Sequence, residues 1–453
     1  MSIVSEVSPV VTLSQFDLYA LPPVQTSVES TVQTEHRPLS ALNSGGHIEF
    51  AIPTSVNEYI IPKEILLNVQ LRIILSKTDK SEVVANDWNN VSIVNNFMNS
   101  LWRQVDFFIG DTQITTSLQT YSIKSYVETM IGFSNSCKKS FLSSAGWFYE
   151  ELWDTPDTPV KARTKYIKHV TPAGLPPDKD KDVSTGRIYD LYGKLNLDIA
   201  FQGRAILGGS KLRVKLVPNP AEYFMMCSDE KIVPRAEFIE VSLNMSRARV
   251  TQDIVFAHHK ALEITPARYP LTRSLVTTTT INAGTLNTSL ENVINGQLPR
   301  RCLVFFVSNE SFNGSFKKNP YYFHHYDLNF IACFQNSVQY PRRGFQPDFD
   351  NEIYAREYLE FYRALNEIST DCHMNISRSE WAKGKTIFGF NFSPDQSDGC
   401  GIDSHISPTN NGTMRIEVHF KRPLPETINV LIYSEFDNLI MIPEDRNAIQ
   451  DFH

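Results

Sequence analysis

One strand pattern occurs twice in this chain, about 220 residues apart, and it narrows the folds open to it. The first copy reads Leu195-Asn-Leu-Asp-Ile-Ala-Phe201, a loop, Leu212-Arg-Val-Lys-Leu216, then Tyr223-Phe-Met-Met226. The second reads Met414-Arg-Ile-Glu-Val-His-Phe420, a loop, Ile428-Asn-Val-Leu-Ile432, then Leu439-Ile-Met-Ile442. The triplets share their spacing but few of their residues, so what repeats is architecture. A chain of 453 residues is long enough for two or three domains. Building one β module twice points to a structural subunit more than to a catalyst.

The rest of the chain repeats in the same order. Leu67, Val69, Leu71, Ile73 and Leu75 fall on one side of a strand, with Asn68, Gln70 and Arg72 on the other. Val105 to Ile109, the turn Gly110-Asp111 and Thr112 to Thr115 predict a hairpin. Leu328 to Phe334, Gln335-Asn336 and Ser337 to Tyr340 echo it. A helix is expected over 121–131, and its echo over 351–366, where Ile353, Tyr354, Tyr358, Phe361 and Leu365 recur at helical spacing. Many strands, few helices and long loops predict an all-β protein of two tandem eight-stranded jelly rolls, a double jelly roll with short helices in loops. The expected divisions are an N-terminal arm at 1–44, a first jelly roll at 45–228, a linker at 229–236 and a second jelly roll at 237–453. The linker is placed on Ser228 to Ala236, a charged stretch holding Pro234.

Composition excludes several classes. Net charge is −7, and residues 1–40 hold Glu6, Asp17, Glu29 and Glu35 against Arg37, so no basic arm is present to condense a polyanion. No direct sequence-specific nucleic-acid binding is expected. No apolar run approaches 18 residues, so no membrane span is expected. Nor is a secretory signal recognisable. The six cysteines include no C-x-x-C and read as free buried thiols in a reducing compartment.

Motifs for chemistry fail one by one. Gly384-Lys385-Thr386 resembles the end of a phosphate loop, but Ser379 stands where the earlier glycine is needed. His258-His259 and His324-His325 are adjacent pairs, which would point to opposite faces of a strand and so chelate poorly. Asp395, Asp398 and Asp403 lack the ligand order of a calcium loop. No cofactor, metal or catalytic residue is predicted, and the protein is expected not to be an enzyme. The residues expected to matter lie at interfaces. They are Phe16, Leu18, Tyr19, Pro22 and Pro23 in the arm, and the basic doublets Arg300-Arg301 and Arg342-Arg343, which suit carboxylates on a neighbouring subunit. The stretches 133–186 and 271–320 are expected to be interface loops.

Several stretches resemble the major capsid protein of Polinton (Maverick) elements and adintoviruses. They are Tyr19-Ala-Leu-Pro-Pro-Val-Gln-Thr-Ser27, Gly45-Gly-His-Ile-Glu-Phe50, Asn95-Asn96-Phe97 with Gln104-Val105-Asp106, and Arg268-Tyr269-Pro270-Leu271-Thr272-Arg273. Gly296 to Arg301, Phe312 to Pro320, and Pro341 to Asp348 with Gln346-Pro347-Asp348 complete the set. The resemblance covers about residues 15 to 445. It implies a hexon-like coat subunit whose homotrimer, a pseudo-hexagonal capsomer, tiles an icosahedral shell around a double-stranded DNA genome. The implied partners are further copies of the chain, neighbouring capsomers, a single jelly-roll penton protein and cement proteins. The implied location is the virion capsid, assembled in the host cytoplasm or nucleus. The competing reading is a β-sandwich glycan-active enzyme or lectin, which predicts a monomer with a cleft lined by Trp, Asp and Glu.

Overall fold

Strict alternation at Leu67, Val69, Leu71 and Ile73 produces the strand it predicts. All four are fully buried, and Asn68, Gln70 and Arg72 are only partly so. In the computed structural model this strand, β3, extends over Glu58–Lys77. The structure describes residues 14–19, 21–42, 46–148, 186–368, 374–396 and 405–451.

Two four-stranded sheets form the first sandwich. One runs β1 (Val28–His36), β10 (Ile232–Val250), β3 and β7 (Arg187–Lys194). The other runs β2 (Ile48–Ile52), β8 (Leu212–Pro218), β5 (Trp102–Ile109) and β6 (Thr112–Gln113). A small ladder of β4 (Val91–Ile93) and β9 (Met225–Cys227) stands apart. The second sandwich has one sheet of β11 (Ala267–Ile281), β18 (Ile428–Ile442), β13 (Arg301–Ser308) and β16 (Phe388–Asn391), with β19 (Ile449–Asp451) on β18. Its other sheet runs β12 (Asn287–Gln297), β17 (Asn411–Phe420), β14 (Leu328–Gln335) and β15 (Val338–Phe345).

Among the described residues, and apart from β4, β9 and β19, each sandwich takes eight strands in chain order. Both then have the same sheet orders, 1-8-3-6 and 2-7-4-5. This is the jelly-roll topology, used twice. Every ladder between neighbouring strands is antiparallel. The run Arg301–Ser308 is buried at every position because β13 is a central strand covered on both faces.

The repeat is real, but its register differs from the one expected. Residues 195–201 form a loop with a short 3-10 turn at Asp198–Ala200, not a strand. Residues 223–226 split between a short helix and β9. The segments 428–432 and 439–442 belong to one continuous strand, β18. The true counterpart of β18 is β10, which begins inside the expected linker. Ile232 to Ala236 pair there with Lys77 to Ile73. The proline did not end the strand, because Pro234 sits within this ladder against Leu75. The expected arm likewise contains β1, whose residues Val28 to His36 pair with β10. Residues 271–320, expected as an interface loop, hold most of β11, all of β12 and β13, and a short helix. The stretch 133–186 is described only to 148 and at 186.

Both expected helices form. Helix α1 spans Tyr121–Gly132. Helix α2 (Gln252–Leu262) links the two sandwiches and is largely exposed. Helix α3 spans Ala355–Ala364 and buries Phe361 and Tyr362. It lies so close to β16 that a methyl group at Gly389 would sit 2.6 Å from the Ala364 Cβ.

Candidate functional site

Three kinds of surface are candidates: the N-terminal segment, the open sheet edges, and the seam between the sandwiches. Phe16, Leu18 and Tyr19 are exposed by 66%, 76% and 95%, and Pro22 and Pro23 are exposed as well. Phe16, Leu18 and Tyr19 thus leave large apolar or aromatic side chains open to water within four residues of chain. Gln25 then turns the chain into β1, where its side-chain oxygen accepts from the Val28 N–H at 3.0 Å.

Arg342 and Arg343 lie on β15, whose one ladder partner among the described residues is β14, and both side chains are exposed. Arg300 and Arg301 behave differently, contrary to the expectation that they face a neighbour. Both are buried. Arg300 Nη2 and Arg301 Nη2 each lie 2.8 Å from Glu435 Oε2, and Arg300 Nε lies 3.4 Å from Asp437 Oδ1. Antiparallel pairing sets β13 beside β18 and aligns Arg301 with Glu435, so this doublet is neutralised within its own chain. Burial raises the Asp437 carboxyl above its ordinary range while Arg300 opposes the shift.

The seam joins the two sandwiches through aromatic and polar groups. Tyr126 of α1 stacks on Tyr321, from the segment after β13, with centroids 4.1 Å apart. The Tyr321 hydroxyl lies 2.5 Å from Ser100 Oγ. Thr120 Oγ1 donates to the Val276 carbonyl at 3.0 Å, and the Leu207 N–H donates to the Tyr269 hydroxyl at 3.1 Å. The Cys227 N–H donates to the Phe316 carbonyl at 2.7 Å, which places the Phe312 to Pro320 motif on the first sandwich. Beyond β18, Asn447 Oδ1 accepts from the Asp111 N–H at 3.2 Å, and Gln450 donates to the Gln113 carbonyl. Of these seam residues, Val276 and Phe316 fall in the stretch 271–320 expected at an interface, and the others were not singled out as functional.

The rejected motifs have structural roles. Thr386 is buried and donates to the Trp381 carbonyl at 2.8 Å. His258 and His259 lie on α2 rather than a strand, with His258 Nδ1 2.9 Å from the Tyr59 hydroxyl. His324 and His325 stack in a loop with centroids 4.5 Å apart, and His325 also stacks on Phe349 at 3.9 Å. Their Nδ1 atoms accept from the Tyr326 and Asp327 N–H groups. Asp395 lies 2.7 Å from His405 Nε2, while Asp398 and Asp403 fall outside the described residues. Trp88, Trp102, Trp147 and Trp381 are all buried, so no described tryptophan offers a sugar platform.

The tandem sandwiches with this strand order define the double jelly-roll class. No family model matches the chain. It is similar over its whole length to a chain in the cryo-EM structure of the Sputnik virophage, with a TM-score of 0.63, 12% identity, and 98% and 92% of the two chains covered. The mavirus major capsid protein gives a TM-score of 0.53 at 10% identity, covering 98% and 95%. The Faustovirus major capsid protein gives 0.54 at 8%, covering 97% and 94%. In sequence it is similar to F54H12.2, an uncharacterised protein of Caenorhabditis elegans, with 23% identity over 457 residues, 95% of this chain and 99% of that one.

Proposed function

We propose that the chain is a major capsid protein, a coat subunit with no catalytic activity. The observation that carries this reading is the extent of the fold likeness. Both jelly rolls and their connection align together, over at least nine-tenths of each chain, with the mavirus and Faustovirus capsid proteins. Among the described residues, Trp88, Trp102, Trp147 and Trp381 are buried in the cores, where they pack rather than line a cleft.

On this reading three copies form a trimer that presents six similar jelly rolls. A heterologous contact that closes after three gives a ring, and duplication makes that ring nearly six-fold. Such capsomers tile an icosahedral shell of the Polinton or adintovirus kind around double-stranded DNA. Penton and cement proteins complete the virion, which assembles inside the host cell. The exposed Phe16, Leu18, Tyr19, Pro22 and Pro23 dock on a neighbouring copy, and Arg342 and Arg343 face carboxylates across an edge.

Light scattering and electron microscopy of the purified chain test this. The expected species has three times the 51.6 kDa chain mass and builds hexagonal arrays or closed particles. A stable monomer that binds or cleaves sugars would refute it.

A further inference from the structure

The seam holds a cluster whose hydrogen-bond count leaves one proton to be placed. Ser274 Oγ, on β11, lies 2.5 Å from Glu128 Oε1 of α1 and 3.0 Å from Asp198 Oδ1. A hydroxyl carries one hydrogen and donates once. With both carboxylates ionised, one of these oxygen pairs would meet with no hydrogen between them. A proton on Glu128 Oε1 resolves the conflict. Glu128 then donates to Ser274, and Ser274 donates to Asp198. The other Glu128 oxygen, Oε2, is left as a carbonyl and accepts from Asn196 Nδ2 at 3.1 Å.

The charges agree with that placement. Lys124 Nζ lies 2.6 Å from Asp198 Oδ1 but 3.6 Å from Glu128 Oε1, so the one close ammonium sits on Asp198. The other titratable groups facing the cluster are Tyr121 on α1, Lys194 on β7, Arg273 on β11 and Tyr433 on β18. Burial pushes the Glu128 carboxyl up to about 7; Lys124 pulls it down and Asp198 pushes it up.

We propose that Glu128, Ser274 and Asp198 form a proton-dependent clasp between the two jelly rolls, closed when Glu128 carries its proton and loosened when it ionises. Ser274 is the second sandwich's member of the chain of bonds, so ionisation of Glu128 costs the seam one of Ser274's two carboxyl contacts. Glu128 holds its proton more tightly folded than unfolded, where its ordinary value is 4.5. The contribution is therefore full below about pH 4.5 and is lost as pH rises through about 7.

Hydrogen exchange of the full chain, corrected for intrinsic rate, tests the clasp at about pH 6 and about pH 8. Protection over Ala267–Ile281 is expected to fall about tenfold between them, the drop that linkage gives for one such group. Glu128→Gln keeps a donor toward Ser274 and removes the titration, so its protection is expected to hold at both pH values. An infrared carboxylic-acid band present at the lower pH, lost at the higher and absent from Glu128→Gln would locate the proton. Equal wild-type protection at both pH values, or the same drop in Glu128→Gln, would overturn the proposal. If that variant does not fold, Asp198→Asn removes a charge that raises Glu128. Its transition is expected at lower pH, and an unmoved transition would also overturn the clasp.

Discussion

Tyr126 and Tyr321 belong to different jelly rolls, yet their rings lie 4.1 Å apart and only 4° from parallel. Both are fully buried, and Tyr223 meets Tyr321 edge-on. Tyr321→Ala is expected to cost about 3–5 kcal/mol, because it removes the ring and opens a cavity at the seam. Tyr321→Phe keeps the stack and is expected to cost about 1 kcal/mol for the lost hydroxyl contact to Ser100. Urea unfolding of the two variants checks this, and an alanine variant within about 1 kcal/mol of wild type would show that the stack does not hold the seam.

Glu435 serves two buried arginines at once, so its loss leaves charge in the interior. Glu435→Ala is expected to destabilise by about 3–5 kcal/mol, much more than a surface ion pair would. Asp437 remains beside Arg300, so Arg301 is the residue more exposed to this loss. Thermal melting of Glu435→Ala beside Arg301→Met, which removes the charge and keeps the volume, separates lost pairing from lost packing. A melting point equal to wild type in Glu435→Ala would count against the buried network.

The surface residues should show the opposite pattern. Arg342→Ala and Arg343→Ala lie on an exposed edge strand and are expected to change stability by less than about 0.5 kcal/mol. Replacing Phe16, Leu18 and Tyr19 by serine is expected to be similarly mild in the isolated chain. Both sets are expected to reduce assembly, read as the fraction of protein in trimers or arrays by light scattering. Full assembly of all these variants would remove the segment and the β15 edge from the interface.

Acid should act through His325. Burial and the neighbouring His324 push its imidazole down to about 3, against an ordinary 6.5, with Asp350 opposing. The folded state then binds fewer protons than the unfolded one between those values, so this group's contribution is present above pH 6.5 and is lost as pH falls toward 3. His325→Phe keeps a ring against Phe349 and removes the titration, although it gives up the acceptor for the Asp327 N–H. Melting temperatures measured from neutral pH downward should fall less steeply for the variant. Parallel curves would mean that His325 stays neutral in both states or titrates freely in both.

Local pattern made the strands and helices legible, and distant pairing hid their partners. The alternation at Leu67 to Leu75 and the hairpin turn at Gly110-Asp111 are short-range signals, and both elements lie where expected. The fold class followed from counting such signals. The error at Ile232 to Ala236 came from reading Pro234 as a break, although proline is tolerated near a strand's start where one side is open, and β1 reaches β10 only over Leu243–Val250. The error at Leu195 to Phe201 came from apolar spacing that a buried loop also satisfies, since Leu195, Leu197 and Ile199 are all in the core. Arg300 and Arg301 looked like surface charges because Glu435, 134 residues beyond Arg301, is invisible to local reading. Of the clasp and its flanking ammonium, only Glu128 and Lys124 carry a sequence signal, their i,i+4 spacing on a helix. Ser274 and Asp198 join them through tertiary structure alone.

The pairing of β3 with β10 also sets an order of events during synthesis. β3 finds its ladder neighbours in β7 and β10, and both are translated long after it. A nascent chain therefore carries a 20-residue amphipathic strand with no ladder neighbour until β7 has left the ribosome, and with its other edge open until β10 follows. Contacts this distant in sequence form slowly, and an uncovered strand invites pairing with other chains. Yield of this protein is therefore expected to depend on how β3 is shielded during synthesis, separately from anything the finished fold needs.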